Sequence, residues 1–231
     1  LRIHRSADVT ARNNIFVSHH DAVVMSDNSG FLDIDHNSFL GPTQLAGYAV
    51  RNNRVRITNN IINECLYPKK KHQYRVRVLG NHHLEMDHNC YVFHPDNEER
   101  RAVDYGGPRL DLADAPGLPE LDTGNRQVRI GIKGDLRRWQ EDFGQDRHSV
   151  IVENDPGWAN PRLIASLRGR QRGWPDRDFS YPVFDREAVV LRPESALSQA
   201  ALHGRAMGAS WPPPAAGVSA AAASEPLKEA E

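Results

Sequence analysis

Four stretches of the chain share one alternation of apolar and polar residues. They are VTARNNIFV (Val9–Val17), LDIDHNSFL (Leu32–Leu40), VRITNNIIN (Val55–Asn63) and LEMDHNCYV (Leu84–Val92), and successive ones start 23, 23 and 29 residues apart. The first and third places are apolar (Val9/Ala11, Leu32/Ile34, Val55/Ile57, Leu84/Met86) and the second and fourth polar (Thr10/Arg12, Asp33/Asp35, Arg56/Thr58, Glu85/Asp87). Period-two alternation predicts a strand with one face inward. The sixth place is always Asn (Asn14, Asn37, Asn60, Asn89). Asn suits a turn, because its side chain bonds backbone groups and tolerates unusual dihedrals. A fixed period of this length predicts an all-β solenoid, a right-handed parallel β-helix of about 23 residues per coil, in which like positions stack into ladders. The extra residues of the last interval fall at Tyr67–Gln73, which reads as a loop.

A second predicted strand precedes each stretch at the same period. It aligns Val24 with Gly47 and Val76, and Asp27 with Val50 and Leu79. Carried back one coil, the period sets Leu1 opposite Val24 and Ile3 opposite Ser26, so the chain begins in mid-coil, and further coils are expected upstream. From Phe93 to Asn125 the pattern stops. Loop chemistry follows, then a short helix predicted over Leu136–Phe143 with Asp135 as N-cap and Leu136, Trp139 and Phe143 on one face. This organisation divides the chain into coils at 1–92, a last coil with an irregular capping region at 93–210, and a Pro- and Ala-rich tail at 211–231 with the composition of a disordered segment.

The run from Leu136 through Trp139, Gly144, Asp146, His148 and Ser149 to Asp155-Pro156, followed by Leu191-Arg-Pro-Glu-Ser195 and Gly204 and Gly208, resembles the tail of bacterial right-handed parallel β-helix proteins of the pectate-lyase-like superfamily. The resemblance spans roughly residues 1–209. It implies a secreted or periplasmic carbohydrate-active protein with a polysaccharide partner. It does not choose among lyase, hydrolase, epimerase and non-catalytic members.

Charge changes little in this picture. With 29 Lys+Arg against 30 Asp+Glu, nothing argues for nucleic acid. No run of 18 apolar residues predicts a membrane span. Cys65 and Cys90 read as free thiols, and oligomeric state is left open.

Candidate chemistry falls in two places. The outward rows are Thr10–Asp33–Arg56–Glu85, Arg12–Asp35–Thr58–Asp87 and Asn13–His36–Asn59–His88. They read either as a carbohydrate groove, with paired carboxylates or a Ca²⁺ site from Asp33, Asp35 and Asp87, or as ion pairs between coils. The other strand aligns Arg2, Met25, Tyr48 and Arg77, and His4 with Asp27, beside a basic insertion of Lys69, Lys70, Lys71 and His72 that leads into Tyr74 and Arg75. A lyase for uronate sugars neutralises a carboxylate, removes a ring proton and protonates the leaving oxygen. Arg77 and Lys70 suit the first task and Tyr48 or His72 the others, with Lys69, Lys71, Arg75 and Arg56 binding substrate. The rival readings are a solvated basic loop, a non-catalytic carbohydrate-binding or surface scaffold, the C-terminal part of an enzyme whose site lies upstream, or a glycosidase built on two carboxylates. Adjacent pairs such as His19-His20 and His82-His83 point to opposite faces of a strand and make poor chelates. His148 and Ser149 lack a nucleophile-elbow context and read as structural.

Overall fold

A computed structural model of the chain describes residues 2–4, 8–17, 21–26, 31–40, 44–47, 54–63, 74–79, 84–93, 101–106, 128–131, 135–164 and 186–210. They form mostly strands in parallel sheets, with few helices. In chain order the strands are β1 (Arg2–His4), β2 (Val9–Arg12), β3 (Ile15–Val17), β4 (Asp21–Ser26), β5 (Phe31–Asp35), β6 (Ser38–Leu40), β7 (Gln44–Gly47), β8 (Arg54–Thr58), β9 (Ile61–Asn63), β10 (Tyr74–Leu79), β11 (Leu84–Asp87), β12 (Cys90–Phe93), β13 (Arg101–Gly106), β14 (Val128–Gly131) and β15 (Val150–Glu153). Helix α1 (Asp135–Phe143) lies where one was expected.

The strands sort into four sheets, ordered β2-β5-β8-β11, β3-β6-β9-β12-β15, β1-β4-β7 and β10-β13-β14. Among these described strands pairing is parallel except between β13 and β14. In the first sheet Val9 pairs with Leu32, Leu32 with Val55 and Val55 with Leu84, the register set by the sequence repeat. The second sheet keeps the same offsets: Ile15 pairs with Ser38, Ser38 with Ile61 and Ile61 with Cys90.

Two expectations need correction. In the third sheet Arg2, not Leu1, pairs with Val24, and Ile3 pairs with Met25. Counted between paired positions, the connection from β1 to β2 is one residue shorter than that from β4 to β5, 7 from Arg2 to Val9 against 8 from Val24 to Leu32, so the offset is 22 there. A one-residue slip changes the face of every side chain, so Arg2 does not belong to the Met25 row and His4 meets Ser26 rather than Asp27. The stretch from Phe93 to Asn125 is also not free of strands, because it holds β13, and the stacking resumes beyond it at β15. Tyr74 pairs with Arg101 in β13, and Cys90 pairs with Val150 in β15. The long stretch between these strands breaks the period and hides them from a search for repeats.

The core has two layers. Leu32, Ile34, Val55 and Ile57 of the first sheet are fully buried, as the alternation requires. Phe39, Ile62 and Tyr91 of the second sheet are also fully buried, and the Phe16 and Phe39 rings stack with centroids 4.8 Å apart. The opposite face of the second sheet carries Leu40, Ile61, Cys90 and Val92, which pack against Trp158, Ile164, Val189, Leu197, Ala201 and Met207. The C-terminal region therefore covers the outer face of this sheet, so β6, β9 and β12 are buried throughout. Burial pushes the Cys90 thiol up, the free form of a core cysteine; Cys65 lies outside the described residues.

Motif residues of the tail have local work in this packing. The Asp155 carboxylate accepts the Gly157 and Trp158 amides at 2.8 and 2.9 Å, which turns the chain and seats Trp158 in the core. The Ser195 hydroxyl donates to the Pro156 carbonyl at 2.7 Å. No helix among the described residues is long and apolar enough to cross a membrane.

Candidate functional site

The turn between the first two sheets is made by paired residues. Asn13, His36, Asn59 and His88 all adopt left-handed backbone, with φ between 51 and 59°. Asn and His tolerate this region better than most residues. The next residue in each repeat is the Asn of the sixth place, and its side chain turns inward. Asn14 Nδ2 donates to Asn37 Oδ1, Asn37 Nδ2 to Asn60 Oδ1 and Asn60 Nδ2 to Asn89 Oδ1, each at 3.1 Å. Asn37, Asn60 and Asn89 are fully buried. The chain closes the ladder after α1. Asn89 Nδ2 donates to Asp146 Oδ1 at 3.1 Å, and the Ser149 hydroxyl accepts the Asn89 amide at 2.8 Å in place of a further Asn.

Asp146 is itself fully buried. It also accepts from Tyr91 Oη at 2.9 Å, Trp139 Nε1 at 3.1 Å and the Ser149 hydroxyl. Burial raises its pKa and these donors oppose the rise. Burial likewise drives the Tyr91 phenol up, with the Asp146 charge adding to it.

The outward rows are charged and mutually satisfied. Arg56 grips Asp33 with Nε at 3.0 Å and Nη2 at 2.7 Å, and Arg12 Nη2 adds a third contact at 3.1 Å. Asp35 meets Arg12 Nε at 3.0 Å, His36 Nδ1 at 2.9 Å, Thr58 Oγ1 at 3.0 Å and Asn59 Nδ2 at 2.7 Å. Burial alone would raise the Asp35 pKa; the bonds from His36, Asn59 and Thr58 and the His36 charge outweigh it and bring it to about 2. The Asp35 carboxylate is therefore a poor general acid or base where it stands.

Asp87 has a different neighbourhood. It accepts the His148 amide and His148 Nδ1, both at 2.7 Å, and the His88 amide at 2.9 Å. Burial opposes ionisation, but the His148 contacts and the His88 amide hold its pKa below the usual carboxylate value. Residues 148 and 88 occupy matching places before the paired Val150 and Cys90. His148 thus extends the turn row, and its ring stacks on His88 with centroids 4.8 Å apart.

A strand of irregular backbone crosses this row. The Ala200 carbonyl meets His88 Nδ1 at 3.1 Å, and the Leu202 amide donates to Asn59 Oδ1 at 2.9 Å. Further on, the Gly208 amide donates to the Asn59 carbonyl at 2.7 Å, Ala209 to Ser38 Oγ at 2.9 Å and Ser210 to Asn13 Oδ1 at 2.8 Å. Residues 200–210 run back over four turns, so the Asn13–His36–Asn59–His88 row is bridged by protein and is not an open groove.

Of the residues singled out by sequence, Arg56, Asp33, Asp35 and Asp87 are described with their partners. The structure does not gather Asp33, Asp35 and Asp87 into one ligand set. Asp35 is opposite Thr58, and Asp87 is opposite Thr58 from the other side, so about 10 Å separates the two strand positions. Arg75 and Arg77 are on β10, with Arg77 in register with Asp104. Tyr48, Lys69, Lys70, Lys71 and His72 lie outside the described residues. What sequence reasoning missed is the meeting of Asp87 with His148; both residues were noted, but nothing periodic links them. No family model, curated protein or solved structure matches this chain.

Proposed function

We propose that the chain folds as a right-handed parallel β-helix of the pectate-lyase-like kind, secreted or periplasmic, and that it acts on an acidic polysaccharide. The observation that carries the reading is the parallel pairing of strands one repeat apart in two sheets at once. Parallel neighbours joined in sequence demand a crossover, and such crossovers are right-handed in nearly every case. A stack of this kind offers long faces suited to an extended polymer.

The lyase chemistry belongs on the side of β10. Arg77, with Lys70 from the insertion before it, neutralises the uronate carboxylate. Tyr48 or His72 takes the C5 proton, the bond from C4 to the glycosidic oxygen breaks, and a protonated partner supplies the proton to that oxygen. The product carries a C4=C5 double bond conjugated to the carboxylate, which absorbs in the ultraviolet. A hydrolase that uses Asp33 and Asp35 is disfavoured, because both carboxylates are occupied by Arg12, Arg56 and their neighbours.

The test is an absorbance assay on alginate, polygalacturonate and chondroitin or dermatan sulfate. Rising absorbance on one polymer, abolished by Tyr48→Phe and Arg77→Ala, is the expected outcome. Unchanged activity in both variants sinks the residue assignment. Absence of activity on every polymer, with retention on an acidic glycan column, favours the second reading: a non-catalytic glycan-binding scaffold. The self-neutralised outward rows support that alternative.

A further inference from the structure

We propose that Asp87, His88 and His148 form a binding site for a first-row transition metal ion such as Zn²⁺, independent of any action on polysaccharide. Among the described residues, one group of His, Cys, Asp and Glu brings its ligand atoms within 4.8 Å of one another, and it is this one. His88 Nε2 lies 3.8 Å from Asp87 Oδ2, a separation that one ion can bridge with bonds of about 2.0–2.2 Å. His148 Nδ1 is 2.7 Å from the same oxygen. That pair must open by about 0.6 Å or more to admit an ion in tetrahedral coordination, which would displace the proton the two atoms share.

The tautomer of His88 favours the reading. Its Nδ1 faces the Ala200 carbonyl at 3.1 Å. A carbonyl only accepts, so the proton sits on Nδ1 and the Nε2 lone pair points away from it, the arrangement by which a carbonyl outside the coordination sphere fixes a metal-bound imidazole. The rings of His88 and His148 are nearly parallel, at 14°, and two parallel rings do not both aim a lone pair at one ion. His148 must tilt, and it has room: 65% of its side chain is exposed. Two imidazoles and one carboxylate select Zn²⁺ and its neighbours over Ca²⁺, which takes six or more oxygens. Three protein ligands leave a position for water.

The experiment titrates the full chain with Co²⁺, followed by its visible absorption, and then displaces it with Zn²⁺. One equivalent of Co²⁺ should give the intensified absorption of a low-coordinate site, and one equivalent of Zn²⁺ should remove it and raise Tm. His148→Ala, a change at an exposed side chain, should weaken binding about 100-fold or more while leaving the metal-free Tm close to native. Asp87→Asn is the second variant, in case the first disturbs folding. A paired His82→Ala and His83→Ala variant should bind as the native chain does. The proposal is overturned if the native chain gives no such absorption. It is equally overturned if His148→Ala and Asp87→Asn both bind normally, or if the His82 and His83 variant loses the signal instead.

Discussion

Each turn between the first two sheets sets two adjacent residues side by side, and they stabilise the protein in opposite ways. The inward one, Asn14, Asn37, Asn60 or Asn89, bonds to its own copies in the neighbouring repeats. The outward one, Asn13, His36, Asn59 or His88, is held by other groups: Asp35 beside it, or the 200–210 segment that crosses it. An amide carries both donor and acceptor, so a column of amides satisfies itself at every level except its ends. A column of imidazoles and carboxylates does not, and each level needs a partner chosen for it.

The sharpest way to break the contrast is Asn60→Ala. It removes the acceptor of the Asn37 amide and side chain and strips a donor from the Ile34 and Thr58 carbonyls, all deep in the stack. With 1–3 kcal/mol per buried group left unpaired, a loss of about 4 kcal/mol is expected in urea unfolding. Asn14, at the exposed edge of the described ladder, should cost only about 1 kcal/mol when changed to Ala. Equal losses at the two positions would mean that stacking adds nothing beyond the turn itself.

Next in size is the outward row. Arg56→Met leaves the buried Asp33 to Arg12 alone and should cost about 2 kcal/mol. Adding Asp33→Asn should recover much of it, a coupling read from a double-mutant cycle. Additive losses would show the ion pair to be idle.

Acid should act on the outward row before the inward one. The Asp35 carboxyl, held near 2 against 3.8 in the unfolded chain, contributes stability that is complete above pH 4 and is lost as pH falls from about 4 to 2. The contribution is roughly 2 kcal/mol. Unfolding midpoints measured across this range should fall less steeply for Asp35→Asn than for the native chain. A parallel acid limb in the variant would assign the loss to other carboxylates.

Outside the Asn ladder, the smallest effect is expected at Gly208, where the crossing segment meets the second sheet. Its φ is +75°, and a Cβ there would come within 2.7 Å of Ile61 Cδ1 and Ser38 Oγ. Gly208→Ala should lift the segment at a cost of about 1–2 kcal/mol, because both strain and overlap oppose it. The Ala209 and Ser210 amides should then exchange faster with solvent while the Asn60 amide stays protected. Loss of protection at both would show that the segment and the ladder open together.

Much of this was legible in the residues. The offset of 23, the burial of Leu32, Ile34, Val55 and Ile57, and the Asp33–Arg56 and Arg12–Asp35 contacts all follow from like positions lying one strand apart. The ladder of Asn side chains follows from the same register. The shorter first connection was not legible, because one missing residue leaves no trace in the apolar pattern. Nor was the burial of Asp33 and Asp35, polar residues at outward places, which come to lie beneath the side chains of Arg12 and Arg56. At the candidate site, Asp87 was visible as one member of a polar row, but His148 reached it only through the pairing of β15 on β12.

The sequence by itself determined the period, the strand faces and the inward amide ladder, because each depends on a residue meeting its own equivalent one repeat away. Tertiary structure alone decided that the C-terminal region covers the second sheet, that Asp146 and Ser149 close the ladder, that residues 200–210 bridge the turns, and that two histidines converge on Asp87. Those contacts join segments with no common period. Their partners are selected by shape, charge and hydrogen bonding once the stack exists, and alternation along the chain carries no record of them.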